Sequence, residues 1–356
     1  MSKRKRILLL GDINSIHLQK WIVGLKNDFE IFVFSLDPIE ANINGLENVQ
    51  IFSNQKKTTN RKGKLSYLKS LKKFRKLHKE VKPDFVHAHY ATSYGLLGAL
   101  LKPKKLFISV WGSDVYEFPK KSFIHKTVFK WTVNRANKLF STSQNMKIEL
   151  QKYTSKDINV IPFGIDLALF KKQEEKIQND TFVIGTIKSL EKIYGIDTLL
   201  NVFAKFRKKV PNSKCIIYGK GSEGDSLIQL AKKLKIENDV EFKGFIINNE
   251  VPKAISQMDV FCVLSRQESF GVAAVEAAAC EIPVIASNIG GLPEVVVNNE
   301  TGFIVDNDVE QIVNKLFDLY SDSSLRNKMG QNGNTFVSNN YDWKENVETM
   351  KSFYIL

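Results

Sequence analysis

Short apolar runs rich in branched and aromatic residues alternate along the chain with longer stretches whose apolar residues recur at helical spacing. In the first half the runs are RILLLG (6–11), EIFVFS (30–35), FVHAHY (85–90), LFISVW (106–111) and KLFSTS (138–143). Helical patterns lie between them, notably over 64–82 and 123–138. INVIPFGID leads into KKQEEKIQND at 171–180, a charged stretch without apolar periodicity that reads as a linker. The alternation then resumes with TFVIGTIK, KCIIYG, VEFKGF, VFCVLS, PVIAS and GFIV. Between these, helices are predicted over 195–209, 223–235, 250–257, 271–280 and 308–319. Strands alternating with helices predict βαβ units and parallel, doubly wound α/β sheets. Ligands of such sheets bind outside the carboxyl ends of the strands. Gly11 to His17, His87 to Tyr90 and Trp111 to Asp114 therefore hold the interest in the first half.

A chain of 356 residues exceeds the roughly 250–300 at which a single core stops growing, so two domains are expected. Cys215, Cys262 and Cys280 are odd in number and set in apolar segments. They read as buried free thiols of a reducing compartment, with neither disulfides nor a metal among them. The apolar run after the basic start spans only Ile7 to Leu10, a buried strand and not a leader peptide. Tyr94 to Leu101 is far short of the ~20 apolar residues of a membrane span. The expectation is a cytoplasmic protein that does not cross the membrane.

Charge changes this picture. The net charge is +14, but residues 1–163 hold 30 Lys and Arg against 12 Asp and Glu, whereas the remainder holds 22 against 26. A basic half beside a mildly acidic one points to a polyanion near the first domain. Leu65, Leu68, Leu71 and Leu77 lie among many Lys and Arg in 64–82, and FPKKSFIHKTVFKW at 118–131 interleaves aromatics with Lys. Basic amphipathic stretches of this kind suit the anionic inner face of a membrane. They equally describe helices whose leucines face the core and whose lysines face solvent.

The stretch richest in chemistry runs from Arg266 through Glu268, Ser269, Phe270 and Gly271 into an Ala-rich helix carrying Glu276. A helix N-terminus presents unpaired N–H groups and a partial positive charge, which suit a phosphate. Gly271 removes a side chain that would block close backbone approach. Glu276 among Ala and Val requires a partner. By themselves the two acids read equally as a helix-end charge and an ion-pair member.

The spacing E-S-F-G-x4-E-A-x-A-C resembles the signature of the retaining family-4 glycosyltransferases of the GT-B fold. The resemblance extends along nearly the whole chain, through PFGID (162–166), YGKGSE (218–223), GGLPEVV (290–296) and TGFIV (301–305). It implies two Rossmann-like domains facing across a cleft. The first, 1–163 with a terminal helix over 341–356 crossing back, would bind the acceptor; the second, 164–340, would bind a nucleotide sugar. It further implies that Glu276 binds the ribose hydroxyls and Glu268 the transferred sugar. The backbone of Ser269, Phe270 and Gly271 would hold the distal phosphate, alongside Gly219 and Arg266. Lys188 stands where the family has Arg, keeping the charge without the bidentate fork. Tyr194 replaces the family's Lys, and Lys192 two residues earlier is the substitute cation. Glu281 stands where the family has Gly. Trp111 occupies the place of a His near the reacting sugar and cannot exchange a proton, which leaves His89 and His17 as hydrogen-bond partners for donor or acceptor. Asp114 is either an active-site group or a helix cap.

The implied reaction is metal-independent transfer with retention from a UDP- or GDP-sugar, UDP being favoured. No cofactor is expected, since no DxD-like cluster follows a strand in the second half. The acceptor would be a saccharide or lipid-linked saccharide of surface-polysaccharide assembly. Its choice would rest with loops 11–20, 54–64 and 112–123. Three rival readings exist. Gly219 to Gly224 spells GxGxxG with Glu241 about twenty residues on, the spacing of a dinucleotide site in an NAD-dependent oxidoreductase. It follows the second strand of its domain, however, and leaves ESFG unexplained. A nucleotide-sugar epimerase would share the fold, and a nucleic-acid binder would use the basic face, although no nucleic-acid motif is present.

Overall fold

In the computed structural model, residues 4–40, 45–54, 70–173 and 181–355 are described. The chain divides into two compact units, Met1–Pro162 with Lys344–Leu356, and Phe163–Trp343. Most of the expected linker, 174–180, lies outside the described residues, as do Leu65, Leu68 and nearly all of loop 54–64.

The first unit is a seven-stranded parallel sheet of β1 (Arg6–Leu10), β2 (Glu30–Ser35), β3 (Gln50–Ser53), β4 (Phe85–His89), β5 (Leu106–Ser109), β6 (Lys138–Ser141) and β7 (Ile158–Val160). Their order is β3-β2-β1-β4-β5-β6-β7, which reverses direction between β1 and β4. Five of these strands are apparent in the sequence; β3 and β7 are not. Both are edges, β3 alternately exposed and β7 only three residues long, so neither carries the apolar run that marks a buried strand. The helix expected over 123–138 ends at Arg135, where Ala136 turns extended to lead into β6.

The second unit has six parallel strands: β8 (Phe182–Ile187), β9 (Ser213–Tyr218), β10 (Val240–Gly244), β11 (Val260–Val263), β12 (Val284–Ser287) and β13 (Gly302–Val305). Their order is β10-β9-β8-β11-β12-β13. Helix Val272–Ala279 packs beneath β11 and β12, with all but Val272 and Glu276 buried.

Helix Leu71–Val81 turns Phe74, Leu77 and Val81 inward and leaves Lys72, Lys73, Arg75, Lys76 and Lys79 exposed. Its apolar stripe therefore belongs to the core. The apolar run at 94–101 is likewise a core helix, Ser93–Leu101. Among the described residues no helix is long and apolar enough to cross a membrane. The last helix, Trp343–Ile355, completes the core of the first unit. Tyr354 is fully buried among Phe29, Phe85 and Phe107, its hydroxyl meets His87 Nδ1, and Lys5 Nζ donates to the Tyr354 and Ile355 carbonyls at 3.1 and 2.8 Å.

Candidate active site

In the second unit the expected residues gather at the carboxyl ends of β8 and β11, neighbours in the sheet. Lys188 follows β8 and stays in register with β9, its N–H donating to the Tyr218 carbonyl at 3.0 Å. Its Nζ lies 2.5 Å from Glu268 Oε2, and the two side chains are only 12% and 10% exposed. Ser265 Oγ donates to the same carboxylate oxygen at 3.4 Å. Tyr194 brings no second cation; instead its ring lies 4.9 Å beneath the Lys188 ammonium, a cation–π contact that fixes the lysine from the other side.

Two glycines admit this geometry. Gly219 has φ +141, and a Cβ there would stand 1.8 Å from the Lys188 carbonyl oxygen. Gly290 has φ +58, and its Cβ would stand 1.7 Å from the Glu268 carbonyl oxygen, to which Gly291 N–H donates at 3.2 Å. Any side chain at either place would displace the backbone that carries the ion pair. The Gly290 contact is absent from the local sequence pattern, because it joins residues far apart in the chain.

From Glu268 the chain turns through Ser269 and Phe270 to Gly271, the N-cap of helix Val272–Ala279. The Phe270 ring is buried against Phe163 and Tyr341, which anchors the turn and leaves its backbone at the head of the helix. That end carries the positive pole of the helix dipole. Glu276 is half-buried further along the same helix.

Arg266 is placed differently. Its guanidinium forks onto Asp197 at 2.8 and 2.6 Å and reaches the Lys192 carbonyl at 2.7 Å. It ties the strand end to the start of helix Ile196–Lys209, with both terminal guanidinium nitrogens engaged within the protein. Lys192 is exposed, and its ammonium makes no ion pair among the described residues. Gly219 to Gly224 joins β9 to helix Gly224–Lys233, but Glu241 is held by Lys214 and Lys243 at 3.3 and 2.5 Å. The acid a dinucleotide site needs for its ribose is thus already paired.

In the first unit His17, His89, Trp111 and Asp114 come together at the carboxyl edge of the sheet. His89 ends β4, is 1% exposed, and stacks on His87 with ring centroids 4.3 Å apart. The Trp111 and Trp21 rings lie 5.3 and 6.5 Å from it, and His17 meets Trp111 edge-on at 6.0 Å. Trp21 escapes the reading by motif, although its place one helical turn after His17 puts both on one face. His87 binds Ser109 Oγ at 2.8 Å as well as Tyr354. Among the described residues neither ring nitrogen of His89 has a hydrogen-bond partner. Burial lowers its pKa to about 3, and burial with the Lys20 charge lowers that of His17 to about 4. Both rings are therefore neutral near pH 7, able to hydrogen-bond a hydroxyl and too weakly basic to take its proton.

Asp114 is fully buried. It accepts from the N–H groups of Trp111 at 3.1 Å, Gly112 at 2.9 Å and Ala91 at 2.8 Å. Burial raises its pKa against the pull of these donors. The carboxylate thus laces together the loops after β4 and β5 and positions Trp111 from below. Tyr90, between His89 and Ala91, has φ +96, a strained conformation for a side-chain-bearing residue, and its hydroxyl meets Ser113. Among the described residues no group of three or more His, Cys, Asp or Glu could hold a metal ion.

Comparison with known proteins fits these two units. Residues 169–336 match the family model of glycosyl transferases group 1, and residues 6–143 that of glycosyl transferase 4-like domains. An uncharacterized glycosyltransferase of Methanocaldococcus jannaschii is 27% identical over 348 residues, 96% of this chain and 93% of that protein. A capsular polysaccharide biosynthesis glycosyltransferase of Staphylococcus aureus is 30% identical over 214 residues, 56% of this chain and 53% of its own. The Anabaena HepE structure in complex with UDP-glucose superposes with a TM-score of 0.83 at 20% identity, covering 99% of this chain and 100% of that one. With both of its sheets accounted for in this way, the chain belongs to the glycosyl transferases group 1, as a glycosyltransferase of the GT-B fold with a family-4-like first domain.

Proposed function

We propose that this glycosyltransferase moves a sugar from a nucleoside-diphosphate sugar, UDP favoured over GDP, to a saccharide or lipid-linked saccharide in surface-polysaccharide assembly, with retention and without a metal. The observation that carries the reading is the Lys188–Glu268 pair, 2.5 Å apart and nearly buried, beside the head of helix Val272–Ala279. A cation and a helix N-terminus on one small surface suit a diphosphate leaving group. Glu268, already oriented, offers its second oxygen to sugar hydroxyls, and Glu276 would take the ribose. As the anomeric C–O bond breaks, charge collects on the distal phosphate. The acceptor proton passes to that phosphate oxygen while the new glycosidic bond forms on the same face. The weak basicity of His89 agrees with this route, leaving it to bind a hydroxyl. The UDP-glucose held by Anabaena HepE and the capsular role named for the Staphylococcus aureus relative support the donor and the pathway class.

Membrane docking belongs to the same proposal. Phe123 is 82% and Ile124 72% exposed at the start of helix Phe123–Arg135, with Lys120, Lys121, Lys126 and Lys130 around them. Two protruding apolar residues rimmed by lysines suit an anionic interface.

The test is calorimetric titration with UDP, GDP and NAD⁺, each with and without EDTA, on wild type and Glu276→Ala. Micromolar binding of one nucleoside diphosphate, indifferent to EDTA and lost in the variant, is expected. Binding of NAD⁺ alone, or of neither UDP nor GDP, would refute the donor class; loss of binding in EDTA would refute metal independence.

A further inference from the structure

The opposite edge of the first sheet holds a cavity that the transfer reaction does not use. It measures about 700 Å³ and lies at the amino ends of β1, β4 and β5, where helix Leu71–Val81 terminates. Small-molecule sites span roughly 300–1,000 Å³. Five lysines line it: Lys5, Lys79, Lys82, Lys104 and Lys105. Asp84, the one carboxylate among the described residues that line it, accepts the Arg6 N–H at 2.8 Å.

Two of the lysines are held within the protein. Lys5 is bound to the end of the last helix, and Lys105 lies 4.7 Å over the Phe85 ring. Lys79, Lys82 and Lys104 form no ion pair among the described residues. The negative pole of the helix end accounts for a cation at Lys79 and Lys82. It does not account for Lys104 and Lys105, which arrive from the strand side. Lys82 moreover caps the helix at φ +47 and ψ +60, a left-handed conformation in which glycine is the relaxed choice. A cation in a strained backbone conformation thus lines the same cavity as others of its charge, and like charges repel. An anion among them would reverse that cost.

We propose that this cavity binds a phosphate or diphosphate ester. Its anionic head would sit among Lys79, Lys82, Lys104 and Lys105, and its organic part beside Pro83. Lysines meet phosphate as point charges, and Pro83 gives the rest of the ligand an apolar contact. The site is separate from the diphosphate cradle of the second unit and does not depend on the reading given to that cradle.

The experiment is calorimetric titration of the full chain with inorganic pyrophosphate, on wild type, Lys104→Gln/Lys105→Gln and Lys188→Ala. Flotation with phosphatidylglycerol and phosphatidylcholine vesicles runs alongside. Lys188→Ala, which lowers the thermal midpoint by stranding Glu268, is expected to keep a pyrophosphate site that adding Lys104→Gln/Lys105→Gln weakens by about tenfold or more without a further change in the midpoint. In a Phe123→Ser/Ile124→Ser background, which lacks the other membrane contact, loss of flotation with phosphatidylglycerol on adding Lys104→Gln/Lys105→Gln makes the natural phosphate lipid-borne; unchanged flotation makes the ester soluble. Should the double variant unfold, Lys79→Gln gives the same reading. Equal pyrophosphate affinity in Lys188→Ala with and without Lys104→Gln/Lys105→Gln, or no binding by Lys188→Ala, overturns the proposal.

Discussion

Replacing Lys188 by Met tests the centre of the second unit most directly. At 2.5 Å the gross attraction between Lys188 and Glu268 is about 7 kcal/mol for an effective dielectric of about 20, most of it offset by desolvation. Removing one partner of a buried pair costs about 3–5 kcal/mol. Because each side chain keeps about a tenth of its exposure, about 2–4 kcal/mol is expected here. Adding Glu268→Gln to Lys188→Met removes the stranded charge, so the double variant should regain about 1–2 kcal/mol relative to the sum of the singles. Activity should follow another rule, since the diphosphate loses its cation in both backgrounds. A fall in kcat of about 10²–10³, or ~3–4 kcal/mol, is expected in Lys188→Met, and a fall at least as large in the double variant, which also loses the carboxylate proposed to hold the sugar. Urea unfolding and a sugar-transfer assay measure the two quantities on the same samples. If Lys188→Met keeps kcat within a few-fold of wild type, the lysine does not face developing charge. If the double-mutant coupling is negligible, the pair is not a buried one.

Three further outcomes follow from the geometry. His89, at about 3 against the ordinary 6.5, stays neutral in the fold while the unfolded chain takes a proton below pH 6.5. Its stabilising share is whole above pH 6.5 and is lost as pH falls toward 3, about 2 kcal/mol by pH 5; His89→Gln should flatten that part of the urea midpoint against pH, and an unchanged slope would refute the assignment. Gly290→Ala, with its Cβ 1.7 Å from the Glu268 carbonyl, should cost at least ~1–2 kcal/mol and lower kcat more than it raises KM. Asp114→Ala strands three backbone N–H groups and should destabilise the first unit by about 3 kcal/mol or more, with a shift in tryptophan emission as Trp111 loses its support.

Much of the second unit is legible in the sequence because its chemistry is local. Glu268 to Gly271 and the helix that follows are contiguous, so strand, turn and helix head can be read together. The Lys188 contact can be placed because it follows a strand end, but its stacking on Tyr194 cannot, since an aromatic in a turn has many possible neighbours. Arg266 shows the limit: proximity to the motif suggests a ligand contact, whereas its guanidinium is engaged by Asp197 in another element. In the first unit the strand ends point to His89, Trp111 and Asp114, which the structure brings together at the carboxyl edge of the sheet. The roles of Asp114 and His87 depend on burial, and burial of a polar side chain leaves no trace in periodicity. The edge strands β3 and β7 go unread for the complementary reason, being too short or too exposed to show an apolar run.

The fully buried Tyr354 has a consequence for how the protein is made. The first sheet is synthesised early, yet the aromatic cavity beneath β4 and β5 is filled by a side chain that emerges only after the entire second unit. At about 5–20 residues per second, the unit that starts first waits roughly 10–40 s for its final piece, while the second can close on its own as soon as β13 and its helices appear. Birth order and folding order are thus inverted, and during that interval the nascent chain exposes Phe85, Phe107 and Phe140 to whatever chaperone is at hand.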